Sequence, residues 1–488
     1  MNLDPRTPVL VGVGVASRRE EDFRNALEPL DLMLEAITAA GRDCGAPAAL
    51  AGAGYIAVPR GRWRYRNPAG AIARAYGAAD ATCVLATVGV LQQTLIGEAC
   101  ARIADGRSHT ALVAGADAGY RLLRAQIAGV EAPERNQDDE PHELLAPAEE
   151  LRHPAEKRAG LRMPVGLYAI MESAYRARQG LGVAEHRDRV AGLYARFTQV
   201  AAANPHAWQR RVLEPATIRD AAERNPMQAF PYTRSHCSTW NVDQAGALLF
   251  CSAARAEELG IARSRWVFPV ASSESNHMVA VSARADLAGC PGARIAGRAA
   301  LDALGKSAAE IDLVELYSCF PIAVETYAEA LDLPDSRELT ITGGMPFAGG
   351  PYNNYVLQAT CRAAELLREG RGRDALVSSV SGILTKQGFG VWSTTPGPRS
   401  FVHADLSDAV AAIMAPLDVA LDYSGAATIA GYTVLHGRGE TPRGVALADT
   451  PDGRRALISA DDAALIARMQ VEEFVGRRVH IEANRWLP

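Results

Sequence analysis

A chain of 488 residues is too long for one compact core and predicts two to four domains. Hydrophobic residues make up 48% and charged residues 22%, which excludes a disordered chain. A net charge of −5 with scattered basic residues gives no electrostatic footprint for nucleic acid, and the stretch RGRWRYR (60–66) reads as solvated surface or a phosphate-contacting edge. No apolar run approaches the roughly 20 residues of a membrane span. MNLDPRTPVL carries no basic region or cleavage signal, and NRWLP no lipidation or sorting tag, so a cytoplasmic protein is expected. Eight cysteines without a CxxC pair predict neither a disulfide framework nor a metal site.

The elements alternate from the start. PVLVGVGV (8–15) is a Val-rich run typical of a strand buried on both faces, and LDLMLEAITAAG (30–41) has helical spacing that closes at Gly41. GYIAV (54–58) is a second strand, residues 90–106 a helix, and TALVAGADAG (110–119) a strand and turn. Alternating β and α predicts a parallel sheet covered on both sides. Residues 126–228 are charged and Pro-interrupted, with amphipathic helices at 166–180 and 186–205, and read as a helical insertion. DQAGALLFCSAARAEELG (243–260) returns to strand and helix. Beyond 285 the alternation restarts: helix 298–305, strand 311–320, helix 354–370, strands 374–382 and 388–394.

The stretch DGRSHTALV (105–113) reappears as EGRGRDALV (369–377), an offset of 369 − 105 = 264 residues. Gly41 and Gly305 share that offset. With the matching element order, this predicts two copies of one βαβαβ unit. Residues 405–488 differ: short strands at 426–436, 442–450, 454–459 and 476–483 surround one helix at 462–470, as in a small OB-like β-barrel. The expected domains are therefore 1–285, with the insertion, 286–404 and 405–488.

A duplicated unit of this size resembles the thiolase superfamily. The resemblance is carried by VDQAGALLFCSAARAEELGI (242–261), VELYSCFP (314–321), GGMPFAGGP (343–351) and ALVSSVSG (375–382). YSCFP, PFAGGPYNNY (346–355), LTK (384–386) and the extra barrel are similar to a divergent branch of thiolase-like, acetyl-CoA-acetyltransferase-like proteins related to the sterol-carrier-protein type. The resemblance implies an α/β fold of two βαβαβ halves layered α-β-α-β-α. It also implies a coenzyme A thioester as substrate or ligand, with no other cofactor.

Thiolase chemistry needs a Cys thiolate at a helix tip, a second acid–base group, and donors for the oxyanions. Alignment on the resemblance puts the nucleophile at Gly89, the usual GHP histidine at Gly350, and another family cysteine at Ser379. Tyr317 and Ser318 stand where the HDCF motif has His and Asp. Cys83 and Cys100 fall away from the helix tip. The surviving reactive group is Cys319, expected at the end of a central strand, with Tyr317 as a hydrogen-bond donor beside it. Gly89, Gly349, Gly350, Asn353, His277, Gly382 and Lys386 are the candidate substrate-binding residues. The AGGPYNN loop is expected to hold an oxyanion by backbone N–H groups. His236 and Cys237 border the same region.

Two functions follow. One is an acyltransferase acting on a thioester through Cys319. The other is a catalytically degenerate acyl-CoA or lipid binder, or a subunit of a larger complex. A homodimer or a protein partner held through the C-terminal domain is compatible with either. Loss of an oxyanion donor alone costs about 2.7–4 kcal/mol of transition-state stabilisation, which makes ordinary thiolysis improbable.

Overall fold

The structure is a computed structural model that describes residues 3–487. Its first half runs β1 (Pro8–Arg18), α1 (Pro29–Asp43), β2 (Tyr55–Pro59), α2 (Pro68–Tyr76), β3 (Thr82–Ala86), α3 (Gln92–Ala104), β4 (Thr110–Ala118) and α4 (Gly119–Ile127). A peripheral stretch follows with β5 (Glu143–Leu145), α5 (Pro154–Arg158), α6 (Pro164–Arg178), α7 (Val183–Ala203), α8 (Pro215–Arg219), β6 (Met227–Ala229) and β7 (Tyr232–Thr233). β8 (Asp243–Ser252) and α9 (Ala253–Glu258) return to the core. The second half has β9 (Phe268–Ser275), α10 (Pro291–Asp302), β10 (Leu313–Glu315), α11 (Pro321–Ala330), α12 (Tyr355–Arg368), β11 (Asp374–Ser381), β12 (Lys386–Ser393) and β13 (Val402–Asp405).

The first sheet is ordered β1-β8-β4-β2-β3-β5 and the second β10-β11-β12-β9-β13. Within them, β1-β8-β4-β2 and β9-β12-β11-β10 have the same order. The senses match too: antiparallel, antiparallel, then parallel in each. The duplication read from the sequence is therefore a structural one, and the second half lacks a counterpart of β3. The sheets are mixed rather than wholly parallel, because β8 and β12 each run against their neighbours.

α1 and α2 cover the outer face of the first sheet, α3 and α12 lie between the sheets, and α10 and α11 cover the second. Strands in such a stack meet helices on both faces, which is why β4 and β8 are buried at every position. Phe250 of β8 stacks on Trp392 of β12 across the middle, ring centres 6.3 Å apart. Proline opens α1, α2, α6, α10 and α11, where its missing N–H has no helical partner to lose.

Several element expectations shift. Gly41 lies inside α1 and is buried; the left-handed closing residue is Gly45 at φ +75°. Its counterpart after α10 is Gly305 at φ +70°, an offset of 305 − 45 = 260 rather than 264. The helix-closing glycines of the repeated stretch do keep 264, Gly106 at φ +78° and Gly370 at φ +74°. The strand expected over 311–320 ends at Glu315. Leu316–Phe320 then turn into α11, a helix absent from the sequence reading, so Cys319 precedes a helix rather than ending a strand. β5, within the stretch read as helical insertion, is the edge of the first sheet, and β13 is the edge of the second.

The chain ends in α13 (Ser407–Ala411), β14 (Val419–Ala420), β15 (Gly425–Leu435), β16 (Arg443–Asp449), β17 (Arg455–Ala460), α14 (Ala463–Arg468), β18 (Arg478–Glu482) and β19 (Arg485–Trp486). β15 pairs β16, β16 pairs β17, β17 pairs β19, β19 pairs β18, and β18 returns to β15. Five strands thus close a small barrel, with α14 between the third and fourth, as in an OB-like domain. Its own apolar core fills the interior. The barrel is docked on its own chain: β6 pairs β15, and the Phe230 N–H donates to the Val434 carbonyl at 2.8 Å. Buried Arg176 of α6 donates to the Tyr432 hydroxyl at 2.8 Å and to Glu473 at 2.9 Å.

Among the described residues, no helix is long and apolar enough to cross a membrane. All eight cysteines are free thiols, seven of them buried.

Candidate functional site

The tips of α3 and α12 meet where the two halves face each other. Gly89 stands in the turn before α3 at φ +105°, a left-handed conformation that favours glycine. A Cβ on Gly89 would lie 2.8 Å from Pro147 Cγ and 3.3 Å from both Leu151 methyl carbons. The space a nucleophilic side chain needs is therefore already filled by the segment after β5. The Gly89 carbonyl instead accepts a 3.3 Å hydrogen bond from Lys386 Nζ. Gly382 packs against the same lysine: a Cβ there would lie 3.2 Å from Lys386 Cγ. Gly89, Gly382 and Lys386 thus form one group. Burial lowers the Lys386 pKa, opposed by the charges of Glu149 and Glu274. Glu274, buried at the end of β9, accepts from Thr94 Oγ1 at 2.7 Å and Asn276 Nδ2 at 2.9 Å, and burial pushes its carboxyl up to about 7.

Cys319 is 8% exposed. Burial pushes its thiol up to about 12, with the Tyr168 hydroxyl beside the sulfur drawing it back only in part. No basic side chain activates it, so at neutral pH it is a thiol and a weak nucleophile. Its carbonyl accepts from the Ser238 N–H at 3.1 Å, and the next carbonyl in that strip, Thr239, accepts from the Gly350 N–H at 3.0 Å. Ser238–Thr239 therefore holds Cys319 and Gly350 on either side of one strip of backbone. Met345 ties the two loops again, its N–H donating to Ser318 Oγ at 2.9 Å. Glu315 anchors the whole arrangement. Its buried carboxylate accepts from the Ile341 and Thr342 N–H groups at 2.7 and 3.0 Å and from the Tyr355 hydroxyl at 2.5 Å.

Two N–H groups of the glycine loop are already taken, that of Gly350 by the Thr239 carbonyl and that of Tyr352 by the Gly350 carbonyl. A Cβ on Gly350 would collide with Ser238 Oγ. Gly349, at φ +107°, packs under Gln244, whose amide donates to the Ala348 carbonyl at 3.0 Å. Asn353 faces Gln92, with Gln92 Nε2 donating to its Oδ1 at 3.4 Å. Tyr317 is buried against Tyr355, ring centres 5.7 Å apart at 89°, and Gln92 borders its hydroxyl; burial raises its pKa.

His277 Nε2 lies 3.1 Å from the Met414 carbonyl. His236 is a structural group: its Nδ1 faces Thr233 in a capping box, and burial holds its pKa down to about 3, so it stays neutral. Cys237 donates to the Thr233 carbonyl at 3.4 Å. Cys83 and Cys100 are buried in the cores.

Sequence reasoning missed Ser238, Thr239, Glu315, Gln92 and the Pro147–Leu151 cover. Only Gln92 carried a legible signal, since the 264-residue offset pairs it with Val356. A cavity of about 240 Å³ opens beside this region, walled by Met163, Trp240 and Phe320 and including Arg234, Cys237 and Ser238. Among the described residues, Asn353 Nδ2, Ser238 Oγ, Ser379 Oγ and Gln93 Oε1 are buried without a hydrogen-bond partner.

The family described as "Thiolase-like protein type 1 additional C-terminal domain" matches residues 405–485. No curated protein matches the chain. Among solved structures, a monomeric SCP2-thiolase-like protein type 1 from Mycobacterium smegmatis is 28% identical, with a TM-score of 0.82 and all of both chains covered. The Ltp2-ChsH2(DUF35) aldolase is 16% identical (TM-score 0.60, 80% of this chain and 98% of that one). Human mitochondrial 3-ketoacyl-CoA thiolase is 15% identical (TM-score 0.58, 80% and 99%). The last two are likenesses of fold alone, and both leave about the length of the barrel uncovered. With its paired half-folds meeting at two helix tips and the matched barrel behind them, the chain belongs to the thiolase superfamily, as a thiolase-like protein with an additional C-terminal domain.

Proposed function

We propose that the protein binds an acyl thioester of the coenzyme A class and does not turn it over by thiolase chemistry. The observation that carries this is the state of Gly89: its side-chain direction is closed by Pro147 and Leu151, and its carbonyl is held by Lys386. An acyl-enzyme at that helix tip has neither a nucleophile nor room to form. The orphaned polar atoms of Asn353, Ser238, Ser379 and Gln93 support a polar ligand nearby, since buried groups of this kind are normally satisfied. The cavity beside Phe320 combines apolar walls with Arg234, a chemistry suited to an acyl chain and a phosphate.

A second reading, acyl transfer or proton transfer through Cys319, is favoured by one observation: its neighbours Phe320 and Ser238 line that cavity. Calorimetry with acetyl-CoA and acetoacetyl-CoA, run beside a free-thiol release assay, separates the readings. Binding heat without thiol release is the expected result. Thiol release that disappears in Cys319→Ala overturns it in favour of the enzyme, and absence of binding by either thioester overturns both.

A further inference from the structure

Three helices converge on a buried cluster away from the α3 and α12 tips. Glu172 of α6, His186 of α7 and Glu325 of α11 each offer one donor atom, and these atoms all lie within 4.8 Å of one another. Glu172 and His186 are fully buried and Glu325 is 6% exposed. Glu172 is well satisfied: Oε1 lies 2.5 Å from His186 Nε2, Oε2 accepts from the Tyr232 hydroxyl, and the Ile322 N–H also points at it. Glu325 is not. Its carboxylate oxygens and His186 Nδ1 are buried with no donor or acceptor from another group, and the Glu325 carboxyl abuts that of Glu172.

The nearby cations are engaged largely elsewhere. Arg189 approaches Glu325 only to 4.0 Å, is itself partly exposed, and also reaches Asp335. Arg176 is committed to Tyr432 and Glu473. Two carboxyls and one imidazole therefore share a buried site with no cation in hydrogen-bond contact.

We propose that Glu172, His186 and Glu325 form a binding site for one divalent first-row transition-metal ion, with zinc as the probe. One imidazole and two carboxylates suit such an ion, and it neutralises the carboxylates while engaging the Glu325 oxygens. Donors at roughly 2.0–2.2 Å from a central ion lie about 3.3–3.6 Å apart, so binding moves Glu172 and His186 apart by about 1 Å and replaces the proton between them. The ion is structural. It ties α6 and α7 of the peripheral stretch to α11, whose first turn follows Cys319, and so sets the position of Phe320 between Tyr168 and Tyr232. Cysteine spacing could not reveal it, because the ligands are two glutamates and a histidine drawn from both halves of the chain.

The test uses the full chain. Wild type, Glu325→Gln and His186→Gln are stripped with EDTA, incubated with zinc chloride, desalted and measured for bound metal and Tm. The expected result is about one zinc per wild-type chain with a raised Tm, and loss of both effects in the variants. Wild type that retains no zinc, or variants that retain as much, overturns the proposal; the cluster is then a carboxyl pair sharing a proton. Should the variants not fold, anomalous scattering from wild-type crystals grown with zinc decides. A peak between Glu172 and Glu325 supports the site, and its absence there overturns it.

Discussion

Gln92 Oε1 accepts a 2.7 Å hydrogen bond from the Val356 N–H, and the two residues stand 264 apart, the offset that relates the halves of the chain. A residue and its own duplicate thus touch, so the pseudo-twofold axis runs between the first turns of α3 and α12. The bond satisfies one of the N–H groups that a helix start leaves free, and it is buried.

Gln92→Leu keeps the shape and removes the acceptor. The Val356 N–H then stays buried and unpaired, at a cost of about 1–3 kcal/mol. Chemical denaturation of the variant measures it, and stability equal to wild type would show that the contact contributes nothing.

Gly89→Cys tests whether a nucleophile can be restored. Its φ of +105° and the nearby Pro147 ring oppose any side chain. The variant is expected to lose about 1–3 kcal/mol, and acetyl-CoA is expected to leave it unmodified in intact-protein mass spectrometry. A stable acylated Cys at this position contradicts the filled-tip geometry.

Cys319 is expected to alkylate slowly at neutral pH. With the thiol at about 12, its rate with iodoacetamide climbs about tenfold per pH unit through the usual thiol range without levelling off. Peptide mapping follows this one cysteine among eight. A plateau near pH 9 would mean the sulfur is solvated or activated.

Glu274 makes stability depend on pH. Its folded pKa of about 7 lies above the ordinary 4.5, so the folded state holds a proton that the unfolded state has released. The favourable contribution is whole below about pH 4.5 and is lost as pH rises through 7, a change of about 3 kcal/mol. Glu274→Gln keeps a neutral side chain at every pH. Relative to this variant, wild type should lose stability across that window, and parallel denaturation profiles would refute the assignment.

Arg176 holds the barrel to α6. Arg176→Ala leaves Glu473 without its partner and the Tyr432 hydroxyl without one donor. Removing one member of a buried ion pair costs about 3–5 kcal/mol, and limited trypsin digestion should then release the C-terminal domain faster than from wild type. Here Glu473 is partly exposed, so the lower end of that range is expected.

Much of the fold was legible in local patterns. Apolar runs marked β1 and β4, and the stretch DGRSHTALV repeated as EGRGRDALV marked the duplication, because each is written in consecutive residues. Short strands and turn residues after 405 marked the barrel. α11 went unread because its burial on nearly every side erases the apolar stripe by which a surface helix is recognised. The strand expected to reach Cys319 failed for a related reason, since an apolar run such as Leu316–Phe320 looks the same in a buried turn.

The amino-acid sequence by itself determined the two-fold repeat and the appended barrel, for these are properties of short segments. The tertiary structure alone decided that Pro147 fills the space beside Gly89, that Lys386 caps its carbonyl, that Ser238–Thr239 bridges Cys319 to Gly350, and that Glu172, His186 and Glu325 share one buried site. Each of these joins residues tens to hundreds of positions apart. Burial, which sets whether a thiol, an amine or a carboxyl is charged, exists only once those distant segments have packed.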